Sequence, residues 1–178
     1  MYNNVEKETS TKSERAGQAG VADMDYCMAY NGNIPPDAAP DFGALVARAF
    51  AAREMAYAPY SGFMVGAALL TSAGKVYTGC NIESAAYSPT NCAERTAFFK
   101  AVSEGESRFR AIAIVGGKRG AVEGEFQYVF PCGVCRQVMA EFCGDDFVVV
   151  IGKSPTEYRL FTLRELLPEA FGPGDLGR

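Results

Sequence analysis

Between residues 63 and 151 the apolar residues come in short unbroken runs, Phe63–Leu70, Ala111–Val115 and Phe147–Ile151, with helically spaced segments between them. That alternation constrains the chain most, because short apolar strands interleaved with helices specify an α/β layered domain. Asp41 follows Pro40 and is placed to cap a helix whose apolar side is Phe42, Leu45, Val46, Ala49 and Phe50. Pro59 closes that region. Phe63–Leu70 and Lys75–Gly79 are predicted as two strands around Thr71-Ser72-Ala73-Gly74. Ser88-Pro89-Thr90 leads into a helix from Asn91 to about Glu104, stopped by Gly105. Ala111–Val115 is expected as a short strand, and Gly116-Gly117-Lys118-Arg119-Gly120 as a loop whose spacing does not fit a phosphate-binding P-loop. Pro131 precedes a second helix, Gly133 to about Phe142. Phe147–Ile151 is a buried strand, and Thr162–Leu167 a last short helix ended by Pro168.

Charge and aromatic residues divide the chain in two. Residues 1–40 carry three basic and six acidic side chains and no Phe, whereas 18 of the 21 aromatics lie from position 41 onward. The first segment buries too little apolar area to offset its ordering entropy, so residues 1–40 are expected to be a largely disordered arm and residues 41–178 the folded unit. The net charge of −4 leaves no excess of Lys and Arg to hold a nucleic-acid backbone. No apolar run approaches the roughly 18 residues of a membrane helix. The first 25 residues lack a basic-then-apolar export signal, which makes the expected location cytoplasmic.

The chain has no histidine. Triads built on histidine and metal sites built on imidazole are thereby excluded. Six cysteines remain, Cys27, Cys80, Cys92, Cys132, Cys135 and Cys143, and without an export signal metal or redox use ranks ahead of disulfides. Cys132-Gly133-Val134-Cys135 alone could be a redox pair, half of a zinc site or a coincidence. Its setting adds information: Pro131 places it at a helix start, and Cys92 also stands in the first turn of a predicted helix. Helix N-termini present free N–H groups and partial positive charge, which favour thiolates. Two such ends converging would bring three thiolates to one point. Three protein ligands on zinc leave the fourth position open for chemistry. Glu94, two residues after Cys92, is placed to reach a water there as a proton shuttle. Taken alone it is an ordinary first-turn glutamate.

Cys92-Ala93-Glu94 followed by Pro131-Cys132-Gly133-Val134-Cys135 follows the general zinc-deaminase pattern. Together with Tyr60-Ser61-Gly62-Phe63, Val65-Gly66-Ala67-Ala68-Leu69, Gly79-Cys80-Asn81-Ile82-Glu83, Cys92-Ala93-Glu94-Arg95-Thr96-Ala97, Pro131–Gln137 and Leu166-Leu167-Pro168, the chain resembles the small homotetrameric cytidine deaminases that use three cysteines. The resemblance runs from about Tyr57 to Leu176. It implies a three-layer α/β/α domain with a central mixed sheet. It also implies one Zn2+ per subunit on Cys92, Cys132 and Cys135, with Glu94 as the acid/base. Asn81 and Glu83 match the positions that bind the ribose, Phe63 the aromatic against the pyrimidine, and the backbone of Ala93 the group that meets the base edge. Phe171 and Tyr87 match segments that reach a neighbouring subunit's pocket, so that the site would be complete only in the homotetramer. The implied reaction is hydrolytic deamination of cytidine and deoxycytidine, as in pyrimidine salvage.

Several of these roles also follow from the residues themselves. Asn81 and Glu83 alternate along an extended segment and can point to one side, where an amide and a carboxylate satisfy sugar hydroxyls. A turn Asn and a solvated Glu are the plain alternative. Phe63 is equally readable as core, and Phe171 as a tail packed on its own domain. Zinc with three thiolates carries a formal charge of −1, so Arg95 and Arg136, which follow the ligand regions, are candidates to withdraw charge from the sulfurs. Two positions depart from the family pattern: Phe130 stands before Pro131-Cys132-Gly133 where Ser is usual, and Ser84 replaces a commoner Asn after Glu83. The rival readings are a deaminase of another cytosine nucleoside such as blasticidin S, a polynucleotide deaminase, and a noncatalytic zinc module in which Cys143 supplies a fourth thiolate.

Overall fold

A computed structural model describes residues 40–177. All but the last residue of the expected N-terminal arm, and with it Cys27, lies outside the described residues. Asp41 caps the first helix, α1 (Phe42–Arg53), its carboxylate accepting from the Ala44 N–H at 2.9 Å. Leu45, Val46 and Ala49 are buried along one side, as their spacing predicts. Strands β1 (Phe63–Thr71) and β2 (Val76–Cys80) form an antiparallel pair around the predicted turn. Helix α2 (Ala93–Ser103) follows, then β3 (Phe109–Lys118), α3 (Gly133–Phe142), β4 (Val148–Ser154), β5 (Glu157–Thr162) and the single-turn α4 (Leu163–Leu166), whose Thr162–Glu165 capping box is complete. A short 3-10 turn, Pro173–Leu176, closes the described chain.

The five strands make one sheet in the order β2-β1-β3-β4-β5. Only β3 and β4 run parallel, joined by the crossover that contains α3; the other pairs are antiparallel. The sheet is therefore mixed, as expected. Residues alternate between its faces. One set, including Ala68, Leu70, Ala113 and Val150, packs with Leu45, Val46 and Ala49 of α1. The opposite set, including Ala67, Leu69, Ile112, Ile114, Val149 and Ile151, packs with Ala97 and Phe98 of α2 and Met139 of α3. Helix, sheet and helix make the three layers.

Two glycines set how closely the helices lie on the sheet. A Cβ on Gly66 would stand 2.0 Å from the Ala49 carbonyl oxygen in α1. A Cβ on Gly79 would stand 2.4 Å from the Ala93 carbonyl oxygen and 2.5 Å from the Ala97 nitrogen in α2. Both contacts are backbone, so no rotamer change relieves them.

Three expectations need correction. Gly116-Gly117-Lys118 is strand, not loop: these three residues continue β3, paired with Val65, Met64 and Phe63 of β1 respectively. Glycines stand there because Val129 and Phe126 press onto the strand, with Val129 Cγ2 3.1 Å from a Cβ built on Gly116 and Phe126 Cδ1 2.9 Å from one on Gly117. The strand predicted as Phe147–Ile151 is shifted to Val148–Ser154. Strand β5 escaped the apolar-run criterion because it lies at the sheet edge, half-exposed, and alternates charged and apolar residues.

Adding a methyl at Gly79 is expected to force α2 off the sheet. Gly79→Ala should lower stability by about 1–3 kcal/mol, read as a fall in the urea midpoint with the slope unchanged.

Candidate active site

Helices α2 and α3 begin beside one another. Cys92 and Cys132 are their N-caps, each with extended backbone geometry, and Cys135 lies one turn into α3. Cys92 is thus the cap itself rather than a first-turn residue. Local sequence explains both starts. The Cys92 carbonyl accepts from the Thr96 N–H at 3.0 Å and the Thr96 hydroxyl at 3.1 Å, while the Asn91 side-chain amide donates to that hydroxyl. The Arg136 Nε donates to the Pro131 carbonyl at 2.8 Å, and its Nη1 to the Leu166 carbonyl at 2.7 Å, which ties the start of α3 to α4.

The three sulfurs lie within 4.8 Å of one another, with Cys92 Sγ 3.9 Å from Cys132 Sγ and Cys132 Sγ 3.5 Å from Cys135 Sγ. Sulfurs bound at about 2.3 Å to one tetrahedral zinc stand roughly 3.8 Å apart. The donor set and its spacing therefore fit zinc, with the fourth position left to a non-protein ligand. Cys143 does not belong to this group: it caps the far end of α3, about 12 Å along the helix from Cys135 at 1.5 Å per residue. The closed four-thiolate module is thereby ruled out among the described residues.

Electrostatics in the cluster follow from the sulfurs' contacts with one another, burial and one arginine. The Cys92 thiol is pushed down to about 5, chiefly by the Cys135 thiol hydrogen-bonded to it, with Arg95 also favouring the thiolate. Cys135 is driven the opposite way by its bond to that thiolate and by burial. Cysteines bind a divalent ion as thiolates, so loading the site releases their protons. Arg95 reaches the cluster as expected, its Nη2 lying 3.8 Å from Cys92 Sγ and 3.1 Å from the Thr90 carbonyl. Arg136 is spent on carbonyl groups instead.

Glu94 is 4% exposed, and burial raises its carboxyl to about 7. A carboxylic acid near neutrality beside a metal position can both take and give a proton. Ala93 is fully buried at the head of α2. Its N–H lies in the first turn, where helix donors lack intrahelical partners.

Of the other expected residues, Glu83 and Tyr87 line a cleft, whereas Asn81, Phe63 and Phe171 lie outside its lining. Asn81-Ile82-Glu83 runs between two flanking segments, bridged on one side to Tyr57 and on the other to Asn91. Asn81 Oδ1 accepts from the Val65 N–H and its Nδ2 donates to the Phe63 carbonyl, both at 2.8 Å. Glu83 accepts from the Tyr60 and Ser61 N–H groups and the Ser61 hydroxyl, and these bonds hold its carboxyl below the usual carboxylate range. Glu83, Tyr60, Ser61, Tyr87 and Thr90 line a cleft of about 340 Å3. Tyr60, Ser61 and Thr90 had no assigned role from sequence. The Tyr60-Ser61-Gly62-Phe63 motif and the Ser88-Pro89-Thr90 lead-in mark these positions, but neither reveals which carboxylate the Tyr60 and Ser61 amides hold. Phe63 lies across Gly116 at the start of β1. Tyr87 is 73% exposed at φ 56°, its ring edge-on to Tyr60. Phe171 is 61% exposed, with its carbonyl held by the Gln137 side chain at 2.7 Å.

Three sulfurs with an open coordination position, next to a buried carboxyl, are the apparatus of the zinc-dependent deaminases. Residues 43–151 match the family described as the cytidine and deoxycytidylate deaminase zinc-binding region. A cytidine deaminase of Sporosarcina psychrophila is 51% identical over 136 residues, covering 76% of this chain and 95% of that protein. The solved structure of a cytidine deaminase from Burkholderia pseudomallei is 48% identical, with a TM-score of 0.64 over 72% of this chain and 97% of the other. That of Mycobacterium tuberculosis is 39% identical, with a TM-score of 0.64 over 75% and 99%. The chain belongs to the cytidine and deoxycytidylate deaminase family.

Arg95→Ala is expected to weaken zinc retention about 10–100-fold, measured as the rate at which a chromogenic chelator strips the metal. Cys143→Ser should retain one zinc per chain by elemental analysis.

Proposed function

We propose that the protein hydrolyses cytidine and deoxycytidine to uridine and deoxyuridine with release of ammonia. The observation that carries this reading is the buried Glu94 carboxyl beside three converging sulfurs with room for one more ligand. Cys92, Cys132 and Cys135 would hold the zinc. When bound, zinc supplies Lewis acidity that lets a water lose its proton near neutral pH.

Glu94 takes that proton and delivers it to N3 of the cytosine ring, which leaves C4 open to attack by the deprotonated water. Glu94 then carries the proton of the newly added C4 hydroxyl to the amino group; the C4–N bond breaks, ammonia departs and the C4 carbonyl of uridine forms. Cytidine and water thus become uridine and ammonia. Arg95 offsets the surplus negative charge of three thiolates around a divalent ion. The Ala93 N–H meets the base edge, and Phe63 lies against the ring.

Glu83 and Asn81 bind the ribose hydroxyls. The Asn81 amide has one lone pair and one N–H beyond those bonded to β1, enough for a hydroxyl to donate and accept. Tyr87 and Phe171 are exposed aromatic rings that need a partner surface. We assign that surface to a neighbouring copy in a homotetramer, with the described pocket completed across the interface. Residues 41–178 constitute the deaminase unit. No described helix is long and apolar enough to cross a membrane. The five unpaired cysteines among the described residues suit a reducing compartment, which supports a cytoplasmic location.

Incubating the purified protein with cytidine should deplete its ultraviolet absorbance and release ammonia in equal amounts, and a chelator should stop both. Turnover of blasticidin S but not cytidine would overturn the assignment. Glu94→Gln is expected to keep its zinc yet lose at least about 10^2–10^4 in turnover.

A further inference from the structure

The Glu83 carboxylate is partly exposed in the cleft, yet most of its bonding capacity is already used. An ionised carboxylate offers about four lone-pair sites. Oε2 accepts from the Tyr60 N–H at 2.8 Å and the Ser61 N–H at 3.2 Å, and Oε1 accepts from the Ser61 hydroxyl. Both sites on Oε2 and one on Oε1 are thus taken by a single turn. About one site, on Oε1, is left for a ligand.

The Ser61 hydroxyl is itself fixed. It accepts from the Phe63 N–H at 3.0 Å, which leaves its own proton for Glu83. The two amides anchor one carboxylate oxygen and the hydroxyl anchors the other. Rotation about the bond that joins the carboxylate to its side chain is thereby removed, and the free lone pair has one direction. Of the contacts that hold the Glu83 carboxyl below the usual carboxylate range, this hydroxyl counts most.

The turn does not depend on that hydroxyl for its shape. The Gly62 N–H donates to the Ala58 carbonyl at 3.2 Å. Arg119, just past β3, clasps both ends: its backbone N–H donates to the Gly62 carbonyl at 2.7 Å, and its Nη2 to the Ala58 carbonyl at 3.2 Å. Gly62 adopts φ 65°, where glycine is at ease. Ser61 is exposed, so removing its oxygen opens no cavity.

We propose that Ser61 is a positioning residue for sugar recognition: its hydroxyl, oriented by the Phe63 N–H, locks the Glu83 carboxylate so that a single lone pair is presented to one hydroxyl of the ribose ring. The inference rests on the assignment of Glu83 to the ribose. Proton transfer at the base belongs to Glu94, so Ser61 governs how tightly the nucleoside is held and not how fast the ring reacts.

Steady-state kinetics of the zinc protein with cytidine and with 2′,3′-dideoxycytidine, which lacks both ring hydroxyls, test this. Ser61→Ala should raise KM for cytidine about tenfold and leave kcat within about twofold. For the dideoxy nucleoside, kcat/KM, read from first-order decay of its absorbance at high enzyme concentration, should be the same in both proteins. Ser61→Thr, which keeps the hydroxyl, should restore the cytidine KM. An unchanged cytidine KM in Ser61→Ala would overturn the proposal. So would an equal loss of kcat/KM with the two nucleosides, which would assign the hydroxyl to Phe63 or to the turn rather than to the sugar. Failure of the unaltered protein to deaminate cytidine is a separate result, seen before any variant is compared, and it overturns the proposed activity and this inference together.

Discussion

Everything in the site depends on two helices starting at the same place. A helix start is the one part of a helix that carries unpaired N–H groups, and here two of them point into a space bounded by three sulfurs. The parallel pair β3–β4 makes this geometry available, because its crossover through α3 returns that helix to the face that already carries α2. The backbone contact at Gly79 then fixes the depth at which α2 sits. The ligand geometry is thus set by sheet topology and by one missing side chain, rather than by the cysteines.

The cluster gathers more negative charge than one divalent ion cancels. The protein answers with Arg95, placed against Cys92, and with the free ends of two helices. Glu94 is treated differently: it is buried rather than paired, so its proton affinity rises toward neutrality. Two acidic groups two residues apart are driven in opposite directions, Cys92 toward its anion and Glu94 toward its acid.

Much of this could be read from sequence because the informative features are local. Pro131 marks one helix start, the turn at Ser88-Pro89-Thr90 precedes the other, and Asp41 caps α1 as its position predicts. What escaped was set by distant neighbours. Gly116 and Gly117 resemble a loop until Val129 and Phe126 are seen lying over them. Strand β5 has no continuous apolar run because one edge of it has no neighbour in the described sheet. Arg136 adjoins a ligand in sequence, yet its guanidinium turns to the Pro131 and Leu166 carbonyls. Fixing a carbonyl beside the metal or touching the metal's ligand requires the same residue at the same spacing, and only the chain's path decides between them.

Asn81 shows how one side chain can stand in for a strand. Its amide takes the place of a backbone neighbour for the first residues of β1, bonding Val65 and Phe63 at once. No other side chain of that size offers a donor and an acceptor in the same plane. Any change there loosens the start of β1, so this position has little freedom to vary. Freedom to vary lies instead with the outward-facing rings of Tyr87 and Phe171, which the domain's own packing leaves largely uncovered.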